Sequence, residues 1–229
     1  FKNIPLSGVF SNSYDYQDHN DDLTLAKCLN CGLVQLKEEY DLNKLYSDSY
    51  GYRSGLNQSM VKHLKENIEK VESQVELADS DLVIDIASND ATSLKMYKNK
   101  KLIRHGIDPL AKKFSNFYTD NITFTPNFFN KDTSNYIKNI FNKKAKIITS
   151  FSVFYDLPNP SNFVEAIADL LDDDGIWMSE QSYLPFMLKT NSFDTICQEH
   201  LEYYCLSDIR NIIKDINLDI FNIEFNDTN

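Results

Sequence analysis

The chain has 229 residues, 42% of them hydrophobic and 25% charged, enough to bury one α/β core with a small appendage. Its net charge of -11 and the lack of a basic stripe with interleaved aromatics argue against a nucleic-acid partner, although a compact anionic substrate stays admissible. No apolar run approaches the roughly 20 residues that cross a bilayer. The start also lacks a signal peptide's basic end and apolar centre, so the expectation is a cytoplasmic protein with no membrane partner.

Opening at Phe1 and closing on Asn226 to Asn229 directly after a strand-like run, the chain reads as a piece cut at both ends. Residues 1 to 57 form a loop-rich, aromatic module holding Cys28, Cys31 and the stretch Tyr50-Gly51-Tyr52-Arg53-Ser54-Gly55. Two of the four cysteines in a tight Cys-x2-Cys fit metal binding in a reducing compartment better than a disulfide framework. Residues 58 to 229 form the second domain. It opens on an amphipathic helix from Gln58 to about Leu77, with Met60, Val61, Leu64, Ile68, Val71 and Val75 at roughly helical spacing. His63 lies on the polar side of that helix, read as either solvated or a cofactor contact.

Strand and helix then alternate. Leu82 to Ile86 is a strand, Ala91 to Tyr97 a helix, Leu102 to Ile107 a strand followed by a short helix through Phe114, and Ile122 to Phe124 a weaker strand. Ile147 to Phe151 is the fourth strand, Asn162 to Leu171 a helix, and Gly175 to Glu180 the fifth strand after a solvated Asp172-Asp173-Asp174 turn. This alternation predicts parallel strands with right-handed crossovers, hence a doubly wound α/β sheet with ligands beyond its carboxyl edge. Cys197 and Cys205 are read as buried small apolar groups, and His19 and His105 are left unassigned.

Two segments carry chemistry. The turn Asp85-Ile86-Ala87-Ser88-Asn89-Asp90 joins the first strand to a helix, where backbone amides can meet a nucleoside-type ligand. Asp108, with Pro109 after it, ends the second strand about twenty residues on, where an acidic side chain can accept from both ribose hydroxyls. Ala87 and Ala91 stand where glycines are expected, which disfavours a pyrophosphate of the NAD type and narrows the room for a smaller cofactor. Phe128 falls where an adenine ring could stack after the third strand, and Ser150 and Phe151 close the fourth. The second segment, Phe193 to Tyr204, contains Glu199-His200, a proton acceptor near physiological pH beside a carboxylate.

Taken with the lead-in Ile4 to Phe10, the run Cys28 to Leu36, the Tyr50 to Ser54 stretch and Glu180-Gln181-Ser182-Tyr183, these segments resemble the sugar C-methyltransferase family. Its members combine an N-terminal zinc-binding module, a central S-adenosylmethionine-binding domain and a C-terminal Rossmann-like domain. The resemblance implies a Rossmann-like class I methyltransferase sheet behind a partial zinc-binding module. It implies catalytic roles for His200 as general base, Glu199, and Tyr50 or Tyr52, and a cofactor site from Asp85 to Asp90 with Asp108. It also gives Cys28 and Cys31 as half of a four-cysteine structural zinc site, and a nucleotide-linked keto sugar as substrate. Glutamine at 198 departs from the family's usual histidine. Two other functions stay open: O- or N-methylation of a related sugar, and a non-catalytic module that keeps the cofactor fold.

Overall fold

The structure, a computed structural model, describes residues 1–7, 20–47 and 49–226. Gly8, Val9 and Phe10 of the lead-in, His19, and Asp227 to Asn229 lie outside the described residues. In the N-terminal part, strands β1 (Ile4–Pro5) and β2 (Asn20–Asp21) pair antiparallel, followed by β3 (Leu25–Lys27), β4 (Val34–Leu36) and the short helix α1 (Leu42–Leu45). Helix α2 (Gln58–Glu72) leads into the main domain and is capped by the Asn57 side chain, which accepts from the Ser59 amide. It ends five residues short of the predicted Leu77.

The main domain runs β5 (Leu82–Ile86), α3 (Thr92–Met96), β6 (Ile103–Ile107), β7 (Thr123–Thr125), α4 (Lys131–Phe141), β8 (Ala145–Phe151), α5 (Pro160–Leu170) and β9 (Leu171–Glu180). All five strands are parallel, in the order β7-β6-β5-β8-β9. Every residue of β5 is buried, as a central parallel strand covered on both faces requires. Leu82, Ile84 and Ile86 join α4 and α5 through Ile137, Phe163 and Ile167, whereas Val83 faces Ile68 and Val71 of α2 and Leu94 of α3. Strand order reverses between β5 and β8, which opens a crevice beyond their carboxyl ends.

Three expectations shift. The predicted helix up to Phe114 is a run of turns, with a single 3-10 turn at Ser115–Phe117. Helix α4, capped by Asn130, stands where no helix was expected. Strand β9 begins earlier, pairing Leu171 with Ala145 and then Ile176 with Ile147, so that residues 172–175 loop out while Lys146 pairs with Asp172 and Asp174.

Past the sheet come α6 (Leu184–Thr190), β10 (Glu202–Tyr203) and α7 (Leu206–Ile213). Strand β10 pairs antiparallel with β4, making a small sheet in the order β10-β4-β3. A separate core therefore unites Leu23, Leu36, Tyr40 and Leu45 with Met187, Leu201 and Tyr203 from the other end of the chain. The two late cysteines are not buried apolar groups as expected. Both are partly exposed, and at the start of α7 the Asp208 carboxylate accepts from the Cys205 amide at 2.8 Å and from its thiol at 2.9 Å. His105 is buried on β6, its ring nitrogens bonded to the Thr123 and Thr125 hydroxyls, and burial depresses its pKa to about 4.

Candidate active site

A cavity of about 630 Å³ opens at the carboxyl ends of β5, β6 and β8, a size suited to a nucleoside-bearing cofactor and part of a second ligand. Its floor is the turn after β5. Ala87, Asn89 and Ala91 all take left-handed backbone angles, with φ of 56°, 47° and 60°. The turn thus keeps a glycine-type path with side chains in place, at roughly 1 kcal/mol of strain for each non-glycine residue. Ala87 lines the cavity, so its methyl does take up ligand space. Ala91 does not, because its methyl is fully buried among Val83, Leu94 and Tyr97.

Asp108 organises this turn. Its Oδ2 accepts from the Asn89 amide at 2.8 Å and its Oδ1 from the Leu110 amide at 2.6 Å. Burial raises its pKa and those two amides pull it back. Each oxygen retains a lone pair for a ribose hydroxyl. Beneath the turn, the Tyr118 hydroxyl donates to Asn89 O at 2.9 Å and lies 2.8 Å from Ser88 Oγ. A side chain at Gly106 would collide with Ser88 and Tyr118, so glycine there permits this close stacking of strand and turn. Tyr118 carries no sequence signal for this role, since an isolated tyrosine after a strand reads as packing.

The Tyr50–Gly55 stretch forms one side wall and is tied to the same turn. The Ser54 amide donates to Asn89 Oδ1 at 3.0 Å and the Gly55 amide to Asp90 Oδ2 at 3.1 Å, with the Arg53 side chain also near Asp90. Tyr50 and Tyr52 line the cavity, and Asp90, buried and off its wall, acts as the latch. Phe128 and Phe151 line it as well. Ser150 is buried behind, accepting from Trp177 Nε1 at 2.9 Å. His63 also stands outside the wall, 2.6 Å from an oxygen of Glu180, which does line it.

Glu199 and His200 line the same cavity. His200 Nδ1 is 2.6 Å from the Thr195 carbonyl oxygen, so it must carry a proton and donate. That fixes the tautomer and leaves Nε2 as the basic atom. The ring of Tyr155 packs against His200 at 4.3 Å between centroids. Burial raises the pKa of Glu199, the neighbouring imidazole opposing that rise.

The donor set bears on which groups fit. Five carboxyl groups line the cavity (Asp85, Asp108, Asp156, Glu180 and Glu199), and among the described residues on its wall none is Lys or Arg. Burial shifts Asp85 and Asp156 furthest toward the neutral form, so the wall's negative charge rests on the other carboxylates, which favour a cationic ligand over a phosphate, and the ammonium and sulfonium of S-adenosylmethionine match them. The Cys28–Cys31 knuckle lies apart from the cavity, turning at Gly32 (φ 87°) with the Gly32 amide bonded to Cys28 O. Amides of Cys31 and Asn30 aimed at the sulfur hold the Cys28 thiol below its usual value. Among the described residues no third ligand joins this pair, so these two thiolates do not by themselves close a four-ligand zinc site.

Sheet order, turn and cavity together define a Rossmann-like class I methyltransferase fold. No protein-family model matches the chain. The chain is 24% identical over 202 residues to the C-methyltransferase NovU of Streptomyces niveus, across 88% of this chain and 47% of that protein. It thus spans about half the length of the curated relative it matches. Among solved structures, the YcgJ protein of Bacillus subtilis superposes with a TM-score of 0.50 at 16% identity, over 67% of this chain and 66% of that one. The plantazolicin methyltransferase BpumL, solved with a triazolic desmethylPZN analog and SAH, gives 0.51 at 14% identity, over 70% of this chain and 65% of its own. These two likenesses concern the fold. Among the described residues no helix is long and apolar enough to cross a membrane.

Proposed function

We propose that the protein is an S-adenosylmethionine-dependent C-methyltransferase acting on a keto sugar linked to a nucleoside diphosphate, with His200 as the general base. The observation that carries this reading is one cavity lined both by the turn that Asp108 braces and by an imidazole whose tautomer is fixed by Thr195 O. When bound, the cofactor supplies an electrophilic methyl on sulfur. The protein's share is positioning and proton transfer.

Asp108 and the amides after Ala87 orient the cofactor's nucleoside, and the acidic wall stabilises its positive charge. His200 Nε2 removes the proton from the carbon beside the ketone, and that carbon attacks the methyl group. Glu199 stabilises the imidazolium that results. No Lys or Arg on the described wall offers a diphosphate a partner, so only the sugar end enters. Cys28 and Cys31 would supply two thiolates to a structural zinc site.

His200→Ala tests the reading. Methyl transfer and solvent-deuterium exchange at the carbon beside the ketone should both fall at least about 100-fold, while calorimetric affinity for S-adenosylhomocysteine stays within about threefold. Transfer without exchange in the parent protein would point to an oxygen or nitrogen acceptor instead. Absence of S-adenosylhomocysteine binding in the parent would refute the enzyme reading.

A further inference from the structure

Tyr46 and Asp156 form a pair on the cavity wall that the proposed mechanism has not used. Tyr46 follows helix α1, and Asp156 ends the 3-10 turn Phe154–Asp156 that leads out of β8. The Tyr46 hydroxyl and Asp156 Oδ2 lie 2.9 Å apart. Tyr46 is held by the rings of Tyr50 and Phe128, at 5.3 and 6.2 Å between centroids. Asp156 directly follows Tyr155, the ring packed on His200, so the pair sits beside the base.

The second oxygen of Asp156 decides the chemistry. Oδ1 is sealed from solvent with no hydrogen-bond partner in the structure. A carboxylate ion with one oxygen sealed and unpaired carries a heavy desolvation penalty, whereas a neutral carboxyl leaves only a carbonyl oxygen unpaired. The titratable groups that face Asp156 are His200, Glu199, Cys197, Tyr46, Tyr50, Tyr155 and Tyr203; burial dominates and raises its pKa, with His200 and the Tyr46 hydroxyl opposing. To an ionised Asp156 the Tyr46 hydroxyl is the donor across the 2.9 Å contact; a neutral Asp156 with its proton on Oδ2 reverses that direction. Its O–H then occupies a lone pair of the tyrosine oxygen, and the Tyr46 proton is left to point into the cavity.

We infer that Tyr46, oriented by a neutral Asp156, donates the hydrogen bond that stabilises the substrate oxygen gaining negative charge as His200 removes the neighbouring carbon's proton. This deepens the C-methyltransferase reading and rests on it. The C–H pair becomes the new carbon–carbon double bond, and the carbonyl pair moves onto oxygen, where the Tyr46 O–H meets it. When the carbon bonds to the methyl group, the pair on oxygen re-forms the carbonyl and the carbon–sulfur pair leaves with sulfur. Tyr46 and Asp156 keep their protons throughout, and the proton on His200 passes to solvent.

The test compares Tyr46→Phe, Asp156→Asn and Asp156→Ala with a thymidine-diphosphate 4-keto sugar as probe. Tyr46→Phe should lower kcat and the deuterium-exchange rate about 100-fold, with KM and S-adenosylhomocysteine affinity within threefold. Asp156→Asn, whose amide can donate to Tyr46 as a neutral acid does, should stay within fivefold of the parent. Asp156→Ala should fall near Tyr46→Phe. A merely structural aspartate would not separate Asn from Ala in kcat alone. Asn as damaging as Ala, or Tyr46→Phe within threefold of the parent, would overturn the inference and leave His200 untouched. Should the parent fail to bind S-adenosylhomocysteine or exchange deuterium, the functional reading fails first. The Asp156 carboxyl carbon shift in NMR still decides the pair: neutral at pH 7 is expected, and ionised at pH 7 refutes it.

Discussion

Asp85 lies under the turn after β5 with its Oδ1 accepting from Thr149 Oγ1 at 2.6 Å, and burial lifts its pKa from 3.8 to about 7. The unfolded chain releases this proton near 3.8 and the folded chain only near 7, so stability falls as pH rises across that window. Above it the loss amounts to about 4 kcal/mol. Asp85→Asn keeps the Thr149 contact and removes the charge. Its thermal midpoint should exceed the parent's at pH 8 and the gap should shrink at pH 5, read by calorimetry. An equal gap at both pH values would mean that burial does not tune this group. In the sequence Asp85 is legible as a turn residue, because an acid ending a β-branched run is conspicuous. Its confinement is not, since Thr149 lies 64 positions away. The same holds for His200. The Glu-His pair can be read from the chain, but the carbonyl of Thr195 that selects its tautomer belongs to the backbone and leaves no side-chain signal.

At the level of the element, the turn after β5 keeps a glycine-like path without glycine. Replacing Ala87 by Gly relieves left-handed strain but frees the unfolded chain by a similar amount, so stability should change by less than about 0.5 kcal/mol. Ala87→Val places a β-branched side chain at φ 56° and should cost about 1–2 kcal/mol. Urea unfolding of the two variants separates these outcomes. Gly55 on the facing stretch meets a different limit: a Cβ there would stand 2.5 Å from Asp90 Oδ2, and Asp90 is buried and bonded. Gly55→Ala should therefore unlatch the Tyr50–Gly55 wall and weaken S-adenosylhomocysteine binding about tenfold by calorimetry, whereas unchanged affinity would show that the latch is dispensable. Composition and spacing placed the turn correctly. They could not place the latch, because Asn89 and Asp90 read as ligand contacts when they also spend their side-chain atoms on the opposite wall.

On the scale of the whole molecule, β10 joins the N-terminal sheet, and the segment that carries His200 is held by residues from the other end of the chain. Leu201 donates its amide to Tyr155 O at 2.8 Å, and Leu36 donates its own to Leu201 O at 2.7 Å. Removing residues 1–57 should therefore leave the five-stranded sheet folded while amides 184–204 lose hydrogen-exchange protection at least about tenfold. Retained protection would mean that the segment carrying His200 stands without the small module. Hydrophobic alternation along the chain by itself determined a doubly wound sheet, because a buried parallel strand requires β-branched runs and each crossover requires helical spacing, both of which are local. Only the tertiary structure decided that the cavity is acidic, that Tyr46 meets Asp156, and that the two ends of the chain close one core. Those outcomes depend on which distant surfaces the packing presses together, and that choice is made by the burial of many residues at once.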